Sequence, residues 1–382
     1  MAEIREQRRP SVGSATPPEG MIDLTAQSMN AFRASIVITN YNYDRFLARC
    51  IDSALAQSYP VTEVVVVDDA SEDQSREIIQ SYGERVVPVL QDRNGGQGAA
   101  FNAGFRACQG DVVLFLDADD WLYPHAVARV VAALSPGIAQ VQFRLHLVDG
   151  EGRQVNLFPP PEVKFDDGDV IPILLTRGRY ENTVTSGNAF ARTTLSSILP
   201  VPEKEFRISA DGYLLAVAPF CGRIVSIDEP LGAYVFHGTN YWAGGRTMEP
   251  GKFRRYLRHD FNRYEVLRRK AGERGLTVAP RLGLADPYHL TNRITSLVLD
   301  PQHHPAPGDS RLALALRGAW ASRDANLPTA RRCLLAMWFL ALGVLPRVSA
   351  AKLISWRLDS ASRPERLRHA MAACRRWTLP RA

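Results

Sequence analysis

Four short apolar runs, each followed by a stretch with helical spacing, constrain this chain more than any other feature. Residues 34–39 (Ala-Ser-Ile-Val-Ile-Thr), the four valines 64–67, Val86 to Leu90 and Val112 to Leu116 are rich in β-branched residues and almost free of polar interruption. Runs of that kind are strands buried on both faces, as in a parallel sheet. Between them, residues 44–58 put Phe46, Leu47, Cys50, Ile51, Ala54 and Leu55 on one helical face. Residues 72–82 and 99–108 also read as helices, and Pro124 opens another that runs to about Leu134. The order βαβαβαβα predicts an α/β fold: a Rossmann-like, mostly parallel sheet with helices on both faces.

Sheets of this type bind ligands beyond the carboxyl ends of their strands. Three of the four runs end there in polar residues: Asn40-Tyr41-Asn42, Asp68-Asp69 and Asp117-Ala118-Asp119-Asp120. Three carboxylates within four residues after a buried strand exceed what capping a helix requires. Offset by a cation, they suit Mg²⁺ or Mn²⁺ bridging phosphates. Asp68-Asp69 can accept hydrogen bonds from a base or a ribose, and Ser71 or Asp73 serves as the cap of the following helix. The loop Gly95-Gly96-Gln97-Gly98 offers backbone amides ahead of a helix, an arrangement suited to a diphosphate. It is no dinucleotide fingerprint, because the third glycine falls at Phe101, and it has no Gly-Lys-Ser/Thr of a Walker loop. NAD and ATP are therefore disfavoured.

Taken in order, Ile38-Thr39-Asn40-Tyr41-Asn42, Asp52 to Pro60, Val67-Asp68-Asp69-Ala70-Ser71, Asn94-Gly95-Gly96 and Leu116-Asp117-Ala118-Asp119-Asp120 resemble the family 2 glycosyltransferases of the GT-A fold. The likeness is close over residues 34–134 and looser to about 240. It implies an enzyme that moves a sugar, with inversion, from a nucleotide-diphosphate sugar to a hydroxyl acceptor such as a polysaccharide, lipid-linked or other glycan precursor. It implies that Thr39 and Tyr41 line the nucleobase pocket, that Asp69 accepts from the base with Asp68 in support, and that Gly96 belongs to the donor site. Asp117 and Asp119 become the DxD motif, and Asp119, Asp120 and His237 the candidate ligands of Mg²⁺ or Mn²⁺. Asp211, in Ser209-Ala210-Asp211-Gly212-Tyr213, stands where the family has its general base. The family's preceding Glu is Ala210 here, a departure, and capping its helix is the competing role for Asp211. Ser186, Gly187 and Asn188 resemble an acceptor-side loop, whose alternative is a plain turn, and Trp242 is a candidate lid or sugar-stacking residue. A non-catalytic nucleotide-sugar or glycan-binding module of the same fold is the competing reading.

The chain divides by charge. Residues 251–382 hold 25 Lys and Arg against 9 Asp and Glu, whereas residues 1–250 hold 21 against 31. Three regions follow: a loose tail over 1–32, a catalytic domain over 33–250, and a basic, mainly helical C-terminal extension over 251–382. That extension has no recognisable nucleic-acid reader, so nucleic acid is not an expected partner. Five dispersed cysteines without a CxxC pair argue against a disulfide framework, and the tail lacks a secretory apolar run. A cytoplasmic location is expected, with peripheral attachment to the inner face of a membrane as an extension of it. The apolar run 333–345 is too short to span a bilayer, for which about 20 residues are needed. Flanked by Arg331, Arg332, Arg347 and Lys352, it reads either as an interfacial helix within a membrane-contacting segment 328–356 or as a buried helix.

Overall fold

The computed structural model describes residues 32–237, 249–358 and 362–365. Its first half is the expected alternation. Strands β1 (Ala34–Asn40), β2 (Val61–Asp68), β3 (Val87–Leu90) and β4 (Val112–Asp117) pair in parallel in the order β3-β2-β1-β4. Successive side chains of a strand point to opposite faces, and here both faces are covered. Ile36, Ile38, Val64, Val66, Leu114 and Leu116 enter one core with the helices Asp44–Leu55, Ser75–Ser81 and Ala126–Ala133. Val37, Val65, Val67, Val113 and Phe115 enter the other, against the helices Gln97–Ala107 and Asp211–Val217. That second contact is close: a Cβ on Gly104 would stand 2.2 Å from Val37 Cγ1, so only glycine lets the helix lie on β1. Strand β3 is the edge, and Val87 and Leu90 are exposed rather than buried.

Beyond β4 the sheet is mixed. It continues through β5 (Trp121–Leu122), β6 (Ile138–Asp149), β7 (Gln154–Phe158), β8 (Asn188–Ala191) and β9 (Arg223–Phe236). Strand β8 is antiparallel to both β4 and β6, whereas β6 and β9 run parallel. β5 and β7 pair antiparallel with β9 and β6, and the whole is one nine-stranded sheet. The parallel character read from the sequence thus belongs to residues 34–117. Register aligns the ends that matter: Thr39 lies beside Asp117, and Asn40 beside Asp68.

The helix Pro250–Gly272 does not separate from the domain before it. Its Tyr264, Leu267 and Ala271 share a core with Leu174, Tyr180, Leu215 and Ile224. Helices Pro287–Leu299, Arg311–Ala321, Thr329–Val344 and Arg347–Leu358 form a further cluster around Ile294, Phe339, Leu342 and Ile354. The apolar run 333–345 is split between two environments. Leu335, Trp338, Phe339 and Leu342 are buried, while Leu334, Met337, Leu340 and Val344 are exposed. Among the described residues, no helix is long and apolar enough to cross a membrane.

Candidate active site

Strands β1, β2 and β4 deliver their last residues to one edge, and the loops that leave them are tied together there. Asp68 is fully buried and serves the fold. Its carboxylate accepts from Asn40 Nδ2 (2.9 Å), Ser71 N (3.0 Å) and Arg76 Nε (2.9 Å). Burial alone would raise its pKa, but the hydrogen bonds from Ser71, Arg76 and Asn40 outweigh it and hold the group below the usual carboxylate value. Asp68 therefore braces the loops at this edge and does not face the crevice. Three non-glycine residues with positive φ sit on the site's loops: Asn42 (57°), Ala70 (63°) and Ser209 (58°). Such backbone persists only where its surroundings over-determine it.

Asp69 organises the glycine loop. Its Oδ1 accepts from Gly95 N (2.7 Å) and Gln91 Nε2 (2.9 Å), and its Oδ2 from Gly96 N (2.6 Å). Burial raises its pKa against the pull of those two amides. The next amide, Gln97 N, donates to Arg207 O at 2.7 Å. Three consecutive amides are thus spent inside the protein, which corrects the expectation that this loop cradles a diphosphate. Gly96 is glycine for close approach: φ is +82° and a Cβ would stand 2.2 Å from Arg207 O. Gly96 is tied to this edge through its amide hydrogen bond to Asp69.

At the end of β4, three carboxylates take three different roles. Asp117 Oδ1 accepts from Gln97 Nε2 at 2.9 Å and from Thr39 Oγ1 at 3.4 Å. Thr39 therefore turns to Asp117, while Tyr41 is exposed. Burial first, then Asp119 and Asp211, push Asp117 up to about 7. Asp119 Oδ2 meets His237 Nε2 at 2.9 Å, and the imidazole stacks on Phe46 with ring centroids 5.0 Å apart. Asp120 is almost fully buried, with Oδ2 held by Ser186 Oγ (2.5 Å) and Oδ1 by Val235 N (2.9 Å). Those two bonds tie the segment after β4 to the Thr185–Gly187 turn and to β9, and Asp120 is 1% exposed, so it faces the interior and not the crevice. Burial raises the Tyr43 hydroxyl, and Asp119, Asp117 and Asp120 raise it further.

The expected acceptor-side loop is internal. Ser186 Oγ also accepts from Asp117 N (3.1 Å), and Asn188 bonds Gln140 and Val184 O. A Cβ on Gly187 would collide with Thr183 and Phe143 O. Ser186 and Asn188 are 1% and 2% exposed, so they shape the sheet and do not meet an acceptor. Thr185 and Gln97, which the motif reading missed, stand at the site. Gln97 Nε2 reaches Asp117 and Thr185 Oγ1 (3.4 Å), while its Oε1 accepts from Ala210 N at 2.9 Å. It therefore joins the DxD segment to the turn that launches Asp211. Asp211 is half-buried in the first turn of its helix, where its Oδ1 accepts from the helix's own Gly212 N at 2.9 Å. Burial raises its pKa, opposed by the Gly212 amide, Arg263 and Thr185. Trp242 lies outside the described residues.

Asp119 and His237, hydrogen-bonded to each other in this structure, could hold a divalent cation between them. Neighbouring ligands of an octahedral ion with bonds of about 2.1 Å stand about 3 Å apart, and these two atoms are 2.9 Å apart. Among the described residues, no group of three or more His, Cys, Asp or Glu converges on one point. Two protein atoms completed by phosphate oxygens match the way Mg²⁺ is held with its substrates.

Residues 35–173 match the description Glycosyl transferase family 2. An uncharacterized glycosyltransferase of Nostoc sp. is 38% identical over 213 residues, covering 54% of this chain and 66% of its own length. The succinoglycan biosynthesis protein ExoO of Rhizobium meliloti is 31% identical over 210 residues, 53% of this chain and 60% of its own. The chain thus spans somewhat less than two thirds of either relative. Among solved structures, the mannosyltransferase PcManGT from Pyrobaculum calidifontis, in complex with GDP-Man and Mn²⁺, is 17% identical and covers 86% of each chain with a TM-score of 0.47. With the ordered motifs at one edge of its sheet, the segment 35–173 of this chain belongs to glycosyl transferase family 2.

Proposed function

We propose that this chain transfers a sugar, with inversion, from a nucleoside-diphosphate sugar to a hydroxyl on a glycan or lipid-linked acceptor. One observation carries the reading: Gln97 ties Asp117, on the donor side, to the Ala210–Asp211 turn, and burial raises both carboxyl groups. Asp69, which keeps unused lone pairs after its three bonds, accepts from the nucleobase. Asp117, close to Thr39, meets the ribose. Asp119 and His237 hold Mg²⁺ or Mn²⁺, which when bound supplies positive charge to the diphosphate. Asp211 is the general base: the acceptor oxygen forms the new bond to the anomeric carbon, the bond from that carbon to the diphosphate breaks, and the hydroxyl proton passes to the Asp211 carboxylate. A raised carboxyl pKa makes it a better proton acceptor. Incubating purified protein with candidate nucleotide sugars, Mn²⁺ and a glycan acceptor should yield nucleoside diphosphate and a product of inverted anomeric configuration. Tight nucleotide-sugar binding without turnover on any acceptor, or slow hydrolysis alone, points instead to the binding-module reading.

The C-terminal helices supply the means to reach a lipid-linked acceptor. Leu312, Leu316 and Trp320 lie at i, i+4 and i+8 on one helix, each more than half exposed, beside exposed Leu334, Met337 and Val344 on the next. Arg323 stacks over Trp320 at 3.2 Å from the ring centroid. An apolar face in so basic a region suits the surface of an anionic membrane. The protein should float with vesicles containing anionic lipid, and Leu316→Asp should cut that fraction several-fold; equal recovery with neutral vesicles would sink the idea.

A further inference from the structure

The helix Pro250–Gly272 reaches back to the segment that launches Asp211. Asn262 Nδ2 donates to Glu205 O at 3.0 Å, and the His259 ring meets Phe206 edge-on with ring centroids 5.7 Å apart. The same imidazole seats the first turn of the helix Asp211–Val217. A Cβ on Gly212 would stand 2.2 Å from His259 Nε2, so glycine there lets the two helices close. Arg263 follows His259 by four residues, which puts it on the same face of its helix, one turn on.

Arg263 brings a positive charge to this seam. Its side chain is 14% exposed, and its Nη2 donates to Asp260 Oδ1 at 2.8 Å. Asp260 is held from the other side as well, where His289 Nδ1 lies 2.7 Å from its Oδ2. Burial would raise the Asp260 carboxyl, but Arg263 and His289 outweigh it and bring it down to about 2, so the anchor stays ionised. His259 does not supply the charge: burial, then Arg263, lower it to about 4 against the pull of Asp260, and it is neutral near neutral pH. Arg263 Nε is buried with no acceptor. An unmet donor in the interior costs free energy, so hydrogen bonding alone does not account for an arginine here.

Asp211 has a use for that charge. Asp117 from the end of β4 and Tyr234 from β9 are its acidic neighbours, and nearby carboxyl groups disfavour each other's ionisation. Burial pushes the Asp211 carboxyl up; the Gly212 amide, Arg263 and the Thr185 hydroxyl pull it down. We infer that Arg263 is a positioning residue for the proposed base: anchored by Asp260, its charge keeps the Asp211 carboxyl ionised and ready to take the acceptor's proton, a role that rests on the reading of Asp211 as the base. The helix Pro250–Gly272 thereby takes part in the reaction, although by charge it belongs to the basic extension 251–382.

Rate–pH profiles of the full chain, with the donor saturating, test this in Arg263→Gln, Arg263→Met and Arg263→Lys. A carboxylate base works in proportion to its ionised fraction. Both uncharged variants should therefore lose rate several-fold at the acid end of the profile and converge on wild type as the pH rises, with the donor KM unchanged. Arg263→Lys, which keeps the charge, should follow wild type. Nucleotide binding in Mn²⁺ shows that each variant is folded. An even loss at every pH, or a wild-type profile in both uncharged variants, overturns the inference. A second readout needs no turnover. Followed by NMR in protein made with isotope-labelled aspartate, and assigned by its absence in Asp211→Asn, the Asp211 carboxyl should titrate at higher pH in Arg263→Gln than in wild type. Identical titrations overturn the inference and leave the base role standing. A shifted titration together with a full transfer rate in Asp211→Asn removes the base role and keeps the charge pairing.

Discussion

Asp211→Asn should lower the transfer rate by about 10²–10⁴-fold, the range a positioned general base contributes, and leave nucleotide affinity unchanged. The substitution is nearly isosteric. The one described hydrogen bond to this carboxyl, from Gly212 N, can be kept by an asparagine oxygen, so the helix start survives. Burial raises the Asp211 pKa despite the Gly212 amide, Arg263 and Thr185. The wild-type rate should therefore rise with pH through an inflection above the usual carboxylate range, and the variant's residual rate should lack it. A raised carboxyl pKa means that the folded state binds the proton more tightly than the unfolded one, so the ionised group costs stability once the pH exceeds the folded value. At pH 8 the asparagine variant should melt no lower than wild type while losing activity. Retention of the full rate would remove Asp211 from the role of base.

Asp69→Asn should show the converse pattern, with donor binding lost first. The carboxylate accepts from Gly95 N, Gly96 N and Gln91 Nε2 at once. An asparagine has one acceptor oxygen and turns its NH₂ toward an amide donor. At least one loop amide then loses its partner, at a cost of about 1–3 kcal/mol. Because the Gly95–Gln97 turn also lies on Arg207, the disturbance spreads to the segment ahead of Asp211. Nucleotide affinity should fall about 10- to 100-fold, the equivalent of about 1.4–2.8 kcal/mol. Calorimetric titration checks the affinity and urea unfolding the stability. Unchanged affinity with unchanged stability would mean that Asp69 organises neither the loop nor the base pocket.

Much of the first half was legible because the local pattern and the tertiary environment agree there. Val64 to Val67 is apolar throughout since both faces of β2 are covered, and the run says so without help from the rest of the chain. Strand β8 carries no comparable signal. Asn188–Ala191 is four residues long and is a strand because β4 and β6 lie on either side of it. The helix Pro287–Leu299 carries no clean apolar stripe either, since His289, Thr291, Asn292, Thr295 and Ser296 are buried polar residues that blur its apolar face.

The site divides in the same way. The motifs located the strand ends, but not which carboxylate faces the crevice. Asp119 and Asp120 are adjacent and chemically alike. The approach of β9, whose Val235 N binds Asp120 while His237 meets Asp119, separates their roles. Gln97 was passed over as one residue of a glycine loop. Its importance comes from a side chain that spans Asp117 and Ala210, residues 20 and 113 positions away in sequence. Ser186 and Asn188 occupied plausible acceptor positions in the motif order, yet burial turns both inward.

The central claim is a metal-dependent nucleoside-diphosphate site built on Asp69 and on the Asp119–His237 pair. Titration of the purified chain by calorimetry with UDP, GDP, CDP and TDP, each with and without Mn²⁺, tests it most directly. Saturable binding of one nucleotide that strengthens with Mn²⁺ is expected, with that gain lost in Asp119→Ala and affinity weakened about 10- to 100-fold in Asp69→Asn. Absence of binding by all four nucleotides at millimolar concentration, or binding indifferent to both substitutions, would contradict it.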